Sequence, residues 1–238
     1  MTARLGRVNY KRNMINTLDE LAIKYNCNKA TIYGTPGVSM YHGYTVIYDQ
    51  LMSHLRNELI RILEVGICME GTEGAQSIRM WLEYFNKAEL YTFDIMDMKW
   101  IENSKEFNNR VKFFQGDQGN RNDLELMYKN YNSENFDIII EDGSHLHEHQ
   151  MISLAQLFKY LKSDGIYFLE DISIPNRNVR NIRNDETFKT LFKFMKEKIF
   201  VNKFLSTEEC IYLQNNIKSI KFYPDIHKEY CLAAIIKK

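Results

Sequence analysis

The chain has 238 residues, and its 31 lysines and arginines balance 31 aspartates and glutamates. Zero net charge argues against a general binder of nucleic acid or anionic membranes, which needs a basic excess to neutralise phosphates, although a local basic patch is not excluded. A hydrophobic content of 45% with only three prolines and eleven glycines rules out wholesale disorder and collagen-like or linker-dominated architectures. At roughly 150 residues per domain, the length suits one α/β domain with an added N-terminal segment.

Cys27, Cys68, Cys210 and Cys231 lie far apart and form no CxxC pair, so reduced thiols are expected rather than a disulfide framework or zinc ribbon. The start, MTARLGRVNYKRN, carries no apolar signal core. No run approaches the roughly 18 apolar residues of a membrane span, so the expectation is a soluble, cytoplasmic protein.

Along the chain, Leu18, Leu21, Ala22 and Tyr25 follow the i, i+3, i+4, i+7 pattern of a helix. Tyr33-Gly34-Thr35-Pro36-Gly37 reads as a turn, and 46–56 as a second helix. These elements form an N-terminal helical segment, 1–57. From 58 to 238 the rhythm is βαβ, with strands expected at 60–65, 89–94, 111–114, 136–140 and 165–169 and helices at about 75–86 and 147–161. The second of these helices should end at Ser163-Asp164-Gly165, where glycine suits a C-cap. The run Ile138-Ile139-Ile140 has the continuous apolar character of a strand buried on both faces of a parallel sheet. Further helix is expected near 185–200, with Phe188, Leu191, Phe192 and Met195 at core-facing spacing, and a C-terminal antiparallel hairpin at 217–223 and 230–236. Strands alternating with helices imply a doubly wound, Rossmann-like α/β sheet, which binds its ligands at the carboxyl ends of the strands.

Those strand ends hold the chemistry. Glu64 and Gly66 open a loop whose glycines 66, 71 and 74 are not spaced as the dinucleotide GxGxxG, so it fits either an ordinary βα turn or a ligand loop. Asp94, at the end of the second strand, suits the ribose hydroxyls of an adenosine-containing ligand, whether NAD or S-adenosylmethionine. Asp117 and Gln118 follow the third strand and can meet an adenine edge or simply cap a loop. After the fourth and fifth strands come Glu141-Asp142-Gly143-Ser144-His145 and Glu170-Asp171. Neighbouring parallel strands lie about 5 Å apart, so these carboxylates and the imidazole can converge. Carboxylates that close repel unless a cation joins them, and a hard divalent ion with oxygen ligands, magnesium-like, resolves this. The alternative for each acid alone is an N-cap. His147 and His149 read as surface residues, since no fourth ligand for zinc is suitably spaced.

Four blocks, YGTPGVSMYHGY, ILEVG with GAQSIRMW, FFQGDQGN, and IIIEDGSH paired with GIYFLEDI, resemble class I S-adenosylmethionine-dependent methyltransferases. Within that class they are similar to the metal-dependent O-methyltransferases of macrolide and other sugars, the mycinose-pathway type. The resemblance covers about 33–171 and implies a mostly parallel seven-stranded sheet. It also implies cofactor contacts from Thr35, Glu64, Gly66, Ser77, Asp94, Asp117, Gln118 and Asp142, a magnesium ion on Asp142, Glu170 and Asp171, and His145 as general base. The YHGY end of the first block, with His42 and Tyr44, would face the substrate. Two departures stand out: Pro36 where the family usually has Asp after Gly-Thr, and Glu141 for the first Asp of its Asp-Asp-Gly-Ser-His.

In chemical terms, a sulfonium methyl is already electrophilic, so the protein has to align a hydroxyl oxygen and remove its proton. The expected substrate is a small molecule, a sugar or nucleotide sugar of a capsule, glycoconjugate or natural product, with a homo-oligomer implied by the resemblance and neither nucleic acid nor membrane as partner. The basic run Arg177, Arg180, Arg183 reads either as a solvated surface or as a contact for substrate phosphates. Rival readings are methyl transfer to a phosphate or phosphoramidate oxygen, an NAD-dependent oxidoreductase and a non-catalytic scaffold of the same fold. The missing GxGxxG weighs against the oxidoreductase.

Overall fold

The computed structural model describes residues 16–32, 41–67, 74–131, 135–175, 183–226 and 231–238. Two N-terminal helices come first, α1 (Leu18–Lys24) and α2 (Tyr44–Met52), the latter continuing as a 3-10 turn to Leu55. A capping box starts α1: the Thr17 hydroxyl accepts from the Glu20 N–H at 3.2 Å, and Glu20 accepts from the Thr17 N–H at 2.7 Å.

The α/β unit then runs β1 (Arg61–Val65), α3 (Gln76–Tyr84), β2 (Glu89–Asp94), the short α4 (Trp100–Asn103), β3 (Val111–Gln115), α5 (Arg121–Asn130), β4 (Phe136–Glu141), α6 (His147–Leu157) and β5 (Leu161–Leu169). A two-stranded ribbon, β6 (Ile174–Pro175) with β7 (Arg183–Asn184), precedes α7 (Glu186–Glu197), α8 (Thr207–Asn216), β8 (Ile217–Pro224) and β9 (Cys231–Lys237). The main sheet has seven strands in the order β3-β2-β1-β4-β5-β9-β8. The first five are parallel, and β9 and β8 close the edge antiparallel. The doubly wound sheet and the terminal hairpin are therefore as the sequence implies. The chain order reverses between β1 and β4, which makes their carboxyl ends the switch point.

Strand residues alternate between two cores. Ile62, Ile138, Ile140 and Phe168 join α1, α2 and α3 on one face, whereas Leu63, Val65, Ile139, Tyr167 and Leu169 join α5, α6 and α7 on the other. The N-terminal helices thus pack into the same core as α3. Leu191 of α7 is buried, and Phe188 and Phe192 are partly buried against Phe222. Cys27 is buried, which pushes its thiol up to about 12.

Three local expectations change. The helix expected to reach Leu161 ends as α6 at Leu157, with a 3-10 turn to Tyr160, and β5 begins at Leu161 rather than Gly165. Ser163-Asp164-Gly165 lies in a register shift opposite Asp137, between the pairs Phe136–Leu161 and Ile138–Ile166, with Asp164 left-handed. The small and turn-forming residues mark a bulge here, not a helix cap. His147 and His149 are only partly exposed and are hydrogen-bonded rather than free on the surface: Nδ1 of His147 is 2.9 Å from Thr187 Oγ1, and Nδ1 of His149 is 3.0 Å from Ser144 Oγ. The helices α4, α5 and α8 go beyond the sequence expectations: their largely polar runs bury few residues, Ile101 in α4, Leu124 and Met127 in α5, and Leu213 in α8.

Gly66 sits where β1 leaves the sheet. Its N–H donates to Phe93 O at 2.8 Å, its φ is +84°, and a Cβ there would lie 2.1 Å from the Asp142 carbonyl oxygen. A left-handed residue costs roughly 1–2 kcal/mol without glycine, and an overpacked atom against backbone adds roughly 1–3. Gly66→Ala should therefore lower the unfolding free energy by about 2–5 kcal/mol, read by urea denaturation.

Candidate active site

The register of the central strands aligns their ends. Val65 pairs with Glu141 and Glu141 with Leu169, so Gly66, Asp142 and Glu170 follow in adjacent rows. Backbone bonds extend the ladder beyond the strands: Asp142 N–H to Val65 O at 2.8 Å, and Glu170 N–H to Glu141 O at 3.0 Å. Glu64, Glu170 and Asp171, all acidic, are buried at 0%, 1% and 7% exposure. None of the strand-end acids serves as a helix cap, since α6 has Leu146 at its N-cap and α7 has Asp185.

On the open side lie Asp142, His145 and Asp171, whose ligating atoms are all within 4.8 Å of one another. His145 Nε2 is 3.9 Å from Asp142 Oδ1 and 3.7 Å from Asp171 Oδ2, while its Nδ1 is buried and has no hydrogen-bond partner among the described residues. Both His145 and Asp171 hold left-handed backbones, with φ of 57° and 53°. Such strain at non-glycine residues persists only where surrounding structure imposes it, and it concentrates at functional sites. Tyr44 donates to Asp171 Oδ1 at 2.8 Å, and His42 stacks on the Tyr44 ring, with its Nδ1 4.0 Å from Asp171 and 3.9 Å from Asp225.

On the buried side the structure contains a residue the sequence reading missed. The Lys29 ammonium contacts Asp142 Oδ2, lies 2.8 Å from Glu170 Oε1 and 3.8 Å from Glu64 Oε1, and is 1% exposed. Burial pulls this ammonium down, but the Asp142, Glu170 and Glu64 carboxylates outweigh it and hold it well above its ordinary value. Tyr48 also donates to Glu170 Oε1. Glu170, expected from the resemblance among the metal ligands, is thus engaged by Lys29 and Tyr48 and does not join the Asp142–His145–Asp171 group. Burial drives its carboxyl well above the usual range, reinforced by the neighbouring Asp142 and opposed by Lys29.

The remaining strand ends form a second, adjoining set. Ser77 donates to Glu64 Oε2 at 2.8 Å, and burial raises Glu64 to about 7. Glu64 Oε1 has no hydrogen-bond partner among the described residues. Asp94 accepts the Ile67 N–H on one oxygen and the Met96 N–H on the other, both at 2.8 Å, which fixes the carboxylate at the rim. Asp117 is tied up in a turn through Gly119 N–H at 2.8 Å. Gln118 is buried, donates to Glu141 at 2.6 Å and accepts the Ser144 N–H at 2.7 Å, so it braces the turn that carries Asp142 and His145. Gly143 lies so close to this brace that a Cβ would fall 1.7 Å from Gln118 Oε1. Thr35, Cys68, Arg177 and Arg180 lie outside the described residues, and of Arg183 only the backbone is described.

The sheet order, the acid-lined switch point and the antiparallel edge together define the class I S-adenosylmethionine-dependent methyltransferase fold. The sequence relatives of the chain are macrolide and sugar O-methyltransferases. It is 34% identical over 142 residues to mycinamicin VI 2''-O-methyltransferase of Micromonospora griseorubida, an alignment covering 59% of this chain and 34% of that protein. Demethylmacrocin O-methyltransferase of Streptomyces fradiae matches with the same identity and coverage. Among solved structures, MycE methyltransferase of the mycinamycin pathway, in complex with Mg, SAH and mycinamycin VI, superposes with a TM-score of 0.69 at 27% identity, over 93% of this chain and 54% of that one. An O-methyltransferase from Bacillus cereus in complex with SAH, 12% identical with a TM-score of 0.54, shares the fold over 93% of this chain and 90% of its own. The chain spans about a third of the length of these curated relatives. No family model matches it.

Proposed function

We propose that the chain is an S-adenosylmethionine-dependent O-methyltransferase that transfers a methyl group to a sugar hydroxyl. The observation that carries this reading is the convergence of Asp142, His145 and Asp171 at the switch point of a methyltransferase sheet. The relatives named above support the acceptor class.

The cofactor would lie across the ends of β1 and β2. Glu64, braced by Ser77 on Oε2 and with Oε1 3.8 Å from Lys29 and without a hydrogen bond among the described residues, suits the cationic ammonium of the methionine moiety, and Asp94 suits the ribose hydroxyls. The third strand end, with Asp117 and Gln118, would border the adenine. A hard divalent ion fits the donor chemistry of the open side. Asp142 Oδ1 and Asp171 Oδ2 face the same space as His145, and the nearby acids outnumber the single Lys29 charge. When bound, magnesium would lower the pKa of a coordinated sugar hydroxyl and hold it in place. His145 Nε2, beside both carboxylates, would accept the hydroxyl proton as the oxygen attacks the methyl carbon in line with the leaving sulfur. Tyr44 and His42 flank the same acids and would meet the acceptor. Among the described residues no helix is long and apolar enough to cross a membrane. We assign the activity to the cytoplasm, acting on a free or nucleotide-linked sugar, with capsule or glycoconjugate modification as the preferred setting.

Binding is tested by calorimetry with S-adenosylhomocysteine, followed by a screen of free and nucleotide-linked sugars for a methylated product. Asp94→Asn should weaken S-adenosylhomocysteine about 10- to 100-fold, since one hydrogen bond to a charged group is worth roughly 1.5–3 kcal/mol. Tighter binding of NADH than of S-adenosylhomocysteine would reverse the assignment in favour of the oxidoreductase.

A further inference from the structure

The carboxylates of the site are divided between two sides, and their oxygens are divided with them. Asp142 gives Oδ2 to Lys29 and presents Oδ1 toward His145. Asp171 gives Oδ1 to Tyr44 and presents Oδ2 toward His145. Glu170 Oε1 receives both Lys29 and Tyr48. A lysine ammonium taken out of water costs several kcal/mol unless it is paired, and Lys29 meets three carboxylates, drawn from the ends of three different strands.

We propose that Lys29 is a built-in cation of this site, its ammonium filling the buried side of the acid cluster and leaving room for one exchangeable divalent ion on the open side, between Asp142 and Asp171. The proposal rests on the metal reading given under the proposed function. Lys29 reaches the cluster from the loop after α1, and the backbone around it is tied to the segment leading into α2. Thr45 N–H donates to Lys29 O at 3.0 Å, Gly43 N–H to Ala30 O at 2.8 Å and His42 N–H to Asn28 O at 2.8 Å. The same loop therefore delivers the ammonium and seats the Tyr44 and His42 side chains over the acids. Lys29 is a positioning residue in this scheme. It holds Asp142 so that one oxygen alone faces outward, and its charge limits how strongly the remaining acids attract a second ion.

The test compares wild type, Lys29→Met and the double variant Lys29→Met/Glu170→Gln, using Mn2+ as the probe. Free Mn2+ is followed by electron paramagnetic resonance, and thermal melting is recorded in EDTA and in Mg2+. Wild type should bind one Mn2+ per chain. Lys29→Met should melt lower in EDTA, bind Mn2+ about tenfold more tightly or take up a second ion, and show a larger rise in Tm on adding Mg2+. The double variant, which removes the ammonium together with one of its acids, should recover stability in EDTA and bind a single Mn2+ with an affinity near that of wild type. If Lys29→Met alone does not fold, the double variant decides. Loss of Mn2+ binding in it would put Glu170 among the ligands of the ion and overturn the two-sided arrangement. Identical Mn2+ stoichiometry and affinity in wild type and Lys29→Met would overturn the role of Lys29 and leave the metal reading intact. A wild type that binds no Mn2+ would remove the metal reading, and this inference with it.

Discussion

Replacing His145 by alanine should lower kcat by about 10²–10⁴-fold while leaving the affinity for S-adenosylhomocysteine within about twofold of wild type. The split follows from geometry. His145 Nε2 lies 3.9 Å and 3.7 Å from the two acids of the open side, whereas the residues proposed to hold the cofactor, Glu64, Ser77 and Asp94, sit on β1, α3 and β2. The imidazole is partly exposed, so its removal leaves a solvent-filled gap rather than a buried cavity, and the fold should stand. Its left-handed φ of 57° is a cost that alanine shares, so backbone strain is not relieved by the change. Single-turnover kinetics, with calorimetry on the same preparations, separate the two quantities. Undiminished turnover in the variant would exclude His145 as the base.

Asp142→Asn should have an effect of similar size by another route. Asp142 contacts Lys29 through Oδ2 and turns Oδ1 toward His145, where it would help to hold the proposed divalent ion. A neutral amide keeps the shape but gives up the negative charge. Several kcal/mol of the barrier reduction attributed to a metal would be lost, on the order of 10³-fold in kcat. Lys29 retains Glu170 at 2.8 Å and Glu64 at 3.8 Å, so its charge stays compensated and the variant should fold. The expected result is a stable protein with Mn2+ binding weakened at least tenfold and little turnover at any magnesium concentration. A wild-type enzyme equally active in EDTA and in magnesium would show instead that the acids serve only to orient His145.

Much of this site was legible in the chain because strand ends are local features. A buried run such as Ile138-Ile139-Ile140 announces a central strand, and whatever follows it must emerge at the ligand edge of a parallel sheet. Asp142, His145, Glu170 and Asp171 stand at or just beyond such strand ends, and Gly66 directly after β1. Local sequence does not separate a helix end from a bulge at Ser163-Asp164-Gly165, because glycine serves in both, and only pairing with β4 distinguishes them. Gln118 could be placed near the site, but its function as a brace between Glu141 and Ser144 depends on contacts 23 and 26 residues away.

Lys29 illustrates the limit most sharply. It sits in a short turn, Asn26-Cys27-Asn28-Lys29, with nothing to set it apart from other lysines, and its partners lie 113 and 141 residues further along. Periodicity and turn chemistry act over a few residues, so the sequence by itself determined the doubly wound sheet, the strand ends and the acids placed on them. Which acid oxygen faces inward to an ammonium and which faces outward to His145 was decided only by the tertiary structure. The reason is that burying charge is tolerated only where several distant segments deliver opposite charge to one point, and that condition is met by packing rather than by any local pattern.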